Sequence, residues 1–189
     1  IGGSAGSPEA FEQFFSHMPT DQGISFVLVP HLDPTHKGMM PELLQRCTRM
    51  PVVQAEDHMP VAANHIYIIP PNKDLSILRS TLYLAEPAAP RGWRTPIDYF
   101  FRQLAEDQGE RAVAIILSGM GADGTLGIKA VKEHLGLAMV QETASAKFNS
   151  MPRNAIGTGL IDYVAPAEQL PVKLMSYIAQ SAKHPKGPA

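Results

Sequence analysis

With 189 residues, 44% of them hydrophobic and 18% charged, the chain has the composition of a soluble globular protein and enough length for one substantial core. A net charge of -2 argues against a nucleic-acid or anionic-membrane partner, since such binders show a basic face. No apolar run approaches the ~20 residues of a membrane span, no charged and apolar leader opens the chain, and the single Cys47 cannot form an internal disulfide. The expected setting is therefore the cytoplasm, without membrane insertion.

The first predicted feature is a glycine-rich turn, Gly2-Gly3-Ser4-Ala5-Gly6, running into a helix that Ser7 would cap and Pro8 would open, with Phe11, Phe14 and Phe15 on one face. Ile24 to Pro30 is a near-continuous apolar run, the pattern of a strand covered on both faces. A loop at 34–38, a helix over 40–48 carrying Cys47 as a packing residue, and a third strand at 52–55 follow. His65–Pro70, Leu75–Leu78 and Thr81–Leu84 read as short strands, the last two joined by a hairpin turn at Arg79-Ser80. Alternating polar and apolar residues there suit an antiparallel pair with one solvated face. After a loop rich in proline and glycine at 86–95, Pro96 opens a helix through Gln108 with Ile97, Phe100, Phe101 and Leu104 as its buried stripe. Then come a strand at 112–117, a helix at 124–135, a strand at 137–141, a short helix at 152–158, a strand at 161–164 and a terminal helix at 167–182.

Strands alternating with helices favour a doubly wound α/β fold: a mostly parallel sheet of about five or six strands, helices on both faces, and an inserted antiparallel hairpin. One domain is expected over residues 1–182, with 183–189 as a linker or tail. Its ends read as cut from a longer polypeptide.

Three residues would sit just past the C-terminal ends of apolar strands, the edge where such sheets bind ligands. They are Ser4, His31 after Phe26–Pro30, and Asp123 within Gly119-Met120-Gly121-Ala122-Asp123-Gly124. A serine hydroxyl is a poor nucleophile until a base takes its proton, and that base must be oriented by a third group. Glycines around Ser4 permit a sharp turn, and the following helix would direct its N–H groups at developing negative charge. Two other readings stay open: a phosphate or nucleotide cradle at the glycine turn, and a catalytically silent interaction module. His36 is a second candidate to line the cleft. The histidines lack metal-ligand spacing, so neither metal nor cofactor is expected.

These residues resemble the chemotaxis receptor methylesterases, also called protein-glutamate methylesterases. The likeness rests on Ile1-Gly2-Gly3-Ser4-Ala5-Gly6, His31-Leu32-Asp33-Pro34, Leu117-Ser118-Gly119-Met120-Gly121-Ala122-Asp123-Gly124, Tyr67-Ile68-Ile69-Pro70-Pro71 and Met151-Pro152-Arg153-Asn154-Ala155, and spans nearly the whole chain. It implies a serine hydrolase that removes methyl groups from glutamate methyl esters on receptor helices, releasing methanol, and in many members also deamidates glutamines. By resemblance Ser4 is the nucleophile, His31 the base and acid, Asp123 the orienting carboxylate, and Met120 an oxyanion donor; Ala5, next to the nucleophile, is a second donor on geometric grounds. The receiver domain of the stand-alone enzymes is not visible in this sequence. Glu106–Val113 and Ala144–Phe148 resemble the fused proteins that join such a domain to methyltransferase and sensory modules. Arg91, Trp93 and Arg94 offer cations and an aromatic ring for docking an acidic receptor helix.

Overall fold

A computed structural model describes residues 1–31, 39–90 and 92–183. Its innermost strand is two glycines, β1 (Gly2–Gly3), flanked on one side by β2 (Phe26–Pro30) and on the other by β8 (Val113–Ile116). The remaining strands are β3 (Val52–Gln54), β4 (Met59–Pro60), β5 (Ile66–Ile68), β6 (Asp74–Leu78), β7 (Thr81–Ala85), β9 (Leu137–Gln141) and β10 (Tyr163–Ala165). Seven of these form one sheet in the order β10-β9-β8-β1-β2-β5-β3, with every pairing parallel. From β1 the chain first builds outward through β2, then returns to the other flank at β8. That reversal makes the gap between β1 and β8 the switch point of a doubly wound fold.

Helices α1 (Ser7–Ser16), α2 (Met39–Gln45) and α6 (Leu170–Lys183) carry residues packed on one face of the sheet, and α3 (Pro96–Gln108), α4 (Thr125–Glu133) and α5 (Ser150–Ile156) on the other. Strand parity sorts the two cores. Phe26 and Leu28 join Phe11, Phe14, Phe15 and Leu174, whereas Val27 and Val29 join Ile97, Phe101, Ile128 and Met151. Because both faces are covered, β2 and β9 are buried at every position, which explains the apolar runs Phe26–Pro30 and Leu137–Val140.

Several elements differ from the sequence expectation. Residues 66–68 do not belong with the hairpin; β5 inserts between β2 and β3 in the parallel sheet. The hairpin of β6 and β7 has Arg79-Ser80 as its turn, as expected, and gains a third strand, β4, which is too short to read from pattern. The first helix is capped by Gly6, not Ser7; Gly6 has φ +72°, and Ser7 is its first residue, buried against β1. In α3, Asp98 and Ala105 are buried while Leu104 is only partly so. Helix α2 ends at Gln45, three residues before Thr48.

Candidate active site

Ser4 and His31 occupy the next rungs of the parallel ladder beyond β1 and β2. The Ser4 N–H donates to Ser118 O at 3.0 Å, and the His31 N–H donates to Gly3 O at 3.0 Å. Adjacent strands thus deliver both residues to the same sheet edge, with Ser118 following β8 on the far side. Gly119 allows the approach: a Cβ there would lie 2.9 Å from both the Ser4 N and the Ser4 Cβ.

Asp123 reaches this edge from the loop between β8 and α4. His31 Nε2 lies 2.7 Å from its Oδ2, with side-chain exposures of 32% for the imidazole and 5% for the carboxylate. The same carboxylate accepts the N–H of Ile97 at 3.0 Å and of Asp98 at 2.8 Å, at the start of α3. Helix α3 has Thr95 at its N-cap with no side-chain cap, so Asp123 fills that role from across the site. Asp98 returns the arrangement. Its Oδ1 accepts the Gly127 N–H at 2.7 Å, in the first turn of α4, whose own cap residue, Gly124, has no side chain to offer. Burial raises the Asp98 carboxyl above the ordinary carboxylate range; the Gly127 N–H pulls it back, and the neighbouring Asp123 charge adds to the rise.

Histidine and aspartate are therefore brought together, while the third contact is not made. No hydrogen bond joins Ser4 Oγ to His31. Since Nε2 faces Asp123, Nδ1 is the ring nitrogen left for the serine, the reverse of the arrangement in serine proteases. Ala5 follows Ser4, and Met120 follows Gly119, which abuts Ser4; neither backbone N–H has a hydrogen-bond partner among the described residues. Trp93 is 84% exposed; it lies three residues before α3, whose start Asp123 holds. Arg94 is half-buried, with a buried Nε that has no partner among the described residues. Arg91 and His36 lie outside the described residues.

Four residues that sequence reasoning did not single out shape the site: Asp98, Ser118, Gln141 and Phe148. Ser118 and Gln141 are each 1% exposed. The one advance signal was Ser118's place within the motif that carries Asp123; the other three sit in ordinary helix, strand and loop sequence.

A parallel sheet with a histidine–aspartate pair at its switch point and a serine on the neighbouring rung defines an α/β domain with a candidate hydrolytic site. Residues 1–174 match the family described as CheB methylesterase, and the chain belongs to that family. It is 31% identical over 182 residues to a protein-glutamate methylesterase/protein-glutamine glutaminase of Hydrogenovibrio crunogenus, covering 94% of this chain and 48% of that one. A putative enzyme of the same name from Leptospira interrogans is 30% identical over 90% of this chain and 89% of its own. An uncharacterized 104.1 kDa protein of Rhodobacter capsulatus is 42% identical over 139 residues, 74% of this chain but 14% of that protein. The chain thus spans about half, or far less, of two of these relatives. The crystal structure of the Thermotoga maritima CheB methylesterase catalytic domain superposes with a TM-score of 0.86 at 27% identity, over 94% of this chain and 96% of that one.

Proposed function

We propose that this domain is a serine esterase hydrolysing glutamate γ-methyl esters on chemotaxis receptor helices, with Ser4 as nucleophile, His31 as base and acid, and Asp123 as the group orienting the imidazole. The contact that supports it best is the 2.7 Å hydrogen bond between His31 and a buried carboxylate, one strand away from Ser4. Ser4 Oγ attacks the ester carbonyl as its proton passes to His31 Nδ1. The oxyanion is received by the free N–H groups of Ala5 and Met120, methanol departs with the proton from His31, and water activated by the same nitrogen releases the acyl group. Ser4 must approach Nδ1 when substrate binds, a tightening common in sites seen without substrate. The same steps act on a glutamine side chain, with ammonia leaving in place of methanol.

Trp93, Met120 and Phe148 are exposed apolar side chains, and Arg94 adds a cation one residue from Trp93; together they would suit an amphipathic, acidic helix. Arg91 extends the charge in sequence. Membership of a longer polypeptide, with methyltransferase or sensory modules, fits the small share of the 104.1 kDa relative that this chain covers. The cytoplasmic setting goes with that reading; among the described residues no helix is long and apolar enough to cross a membrane.

Methanol release from a methylated receptor is the deciding assay. Ser4→Ala should abolish it and leave the circular-dichroism spectrum unchanged; equal turnover by the variant removes Ser4 from the mechanism. An inactive parental domain that still binds receptor would establish the silent module instead. Arg94→Glu should weaken receptor binding severalfold, and unchanged affinity would remove Arg94 from the docking face.

A further inference from the structure

We propose that Ser118 is a positioning residue for the nucleophile turn, holding the Ala5–Gly6 peptide so that the Gly6 N–H joins those of Ala5 and Met120 around the oxyanion; this rests on the esterase reading above. Ser118 touches no reacting atom. It is 1% exposed, and each of its polar groups is engaged. Its N–H donates to Gln141 Oε1 at 2.9 Å and its carbonyl accepts the Ser4 N–H at 3.0 Å. Its Oγ donates to Ala5 O at 2.9 Å and accepts the Phe148 N–H at 3.0 Å; Phe148 O, at 3.3 Å, is the longer alternative for the single hydroxyl proton.

The consequence follows from peptide planarity. In a trans peptide the C=O and the following N–H point in opposite directions. Ser7 N–H donates to Ser4 O at 3.0 Å, which fixes where the Ala5 N–H points. Ser118 Oγ on Ala5 O fixes the Gly6 N–H in the same way. Both carbonyls of the turn are thereby tied down, while the N–H groups of Ala5 and Gly6 have no partner among the described residues. Such successive free N–H groups beside a residue of positive φ form an anion-binding concavity. Gly6 has φ +72°, and a Cβ on it would stand 2.8 Å from Ser118 Oγ. The hydroxyl therefore occupies the space that a side chain at Gly6 would need. Gln141 extends the clamp by donating from Nε2 to Ser145 O at 3.2 Å, and so ties the loop at 142–149 to the same turn.

Ser118→Ala separates positioning from folding, because the two main-chain bonds of residue 118 survive and only the Oγ bonds are lost. In this 189-residue chain the variant is expected to lower kcat for methanol release by roughly tenfold to a hundredfold, the scale of an ångström-sized misplacement. KM should stay within about twofold. Affinity for phenylboronate, whose Ser4 adduct copies the tetrahedral intermediate, should fall with kcat. If Ser118→Ala does not fold, Ser118→Cys, similar in volume but a weak donor, is read the same way. Unchanged kcat, or a loss explained by a lowered melting temperature with boronate affinity intact, overturns the proposal and leaves the esterase reading standing. A parental chain that releases no methanol overturns both.

Discussion

The Asp123 carboxylate accepts one bond from His31 and two from the backbone that begins α3. In the proposed mechanism, orientation of the base and closure of a helix end are thus one contact, and substitutions should split the two. Asp123→Asn keeps an acceptor but places an amide opposite Nε2, forcing the wrong tautomer; kcat should drop about 10⁴-fold, as in other triads. Asp123→Ala also removes the cap, and its urea midpoint should fall by an amount equal to about 1 kcal/mol or more. If both variants lose activity and stability equally, the division of roles is wrong. The three candidate residues could be picked out because each follows a strand or a glycine-rich motif whose place at the sheet edge can be inferred. Ser118 and Asp98 were not, since a hydroxyl reaching Ala5 and a carboxylate reaching Gly127 are long-range contacts with no periodicity to announce them.

At the level of elements, the β6–β7 hairpin turn carries its own tension. Arg79 and Ser80 both have positive φ, at +50° and +55°, the geometry that asparagine and glycine adopt most easily. Asp107 of α3 compensates by accepting both of their N–H groups. Replacing Arg79-Ser80 with Asn-Gly should raise stability by about 1 kcal/mol, read as a higher melting temperature; an unchanged value would refute the turn as a source of strain. Burial pushes the Asp107 carboxyl upward but is outweighed by bonds from the Gln108 side chain and the Ser80 and Arg79 N–H groups, leaving it below the ordinary range. Its folded value is depressed, so its contribution is complete above the unfolded aspartate pKa of about 3.9 and fades as pH falls through the folded value. Asp107→Asn should therefore flatten the acid limb of the stability curve below about pH 4. The hairpin was readable from alternation and its tight turn. Strand β5 was read as a strand but not placed, because a short apolar run reveals nothing of which sheet it joins.

Across the whole molecule, one parallel sheet serves two hydrophobic cores, with neighbouring residues committed to opposite faces. Leu28 and Val29 are both fully buried, one in each core. Neither core can dissolve while the other keeps its strands, so unfolding should be a single transition. Leu28→Ala should cost about 2–5 kcal/mol, roughly 5–15 °C in Tm for a chain of this size. A two-step melt followed by circular dichroism would contradict that coupling. The sole tryptophan is a poor witness to this event because it is 84% exposed; its fluorescence should respond to receptor binding instead.

The paired glycines of β1 also bear on how such an enzyme changes over time. A methyl group at Gly2 would strike Ile97 at 2.6 Å, and one at Gly3 would strike Ser7 at the same distance. The helical layers are thus wedged against bare backbone where Ser4, the proposed nucleophile, is mounted, leaving those two codons almost no tolerated alternatives. Trp93, Met120 and Phe148 face no such neighbours on their exposed sides. A mutational library selected for a different ester should accordingly diversify these exposed positions and return both glycines untouched.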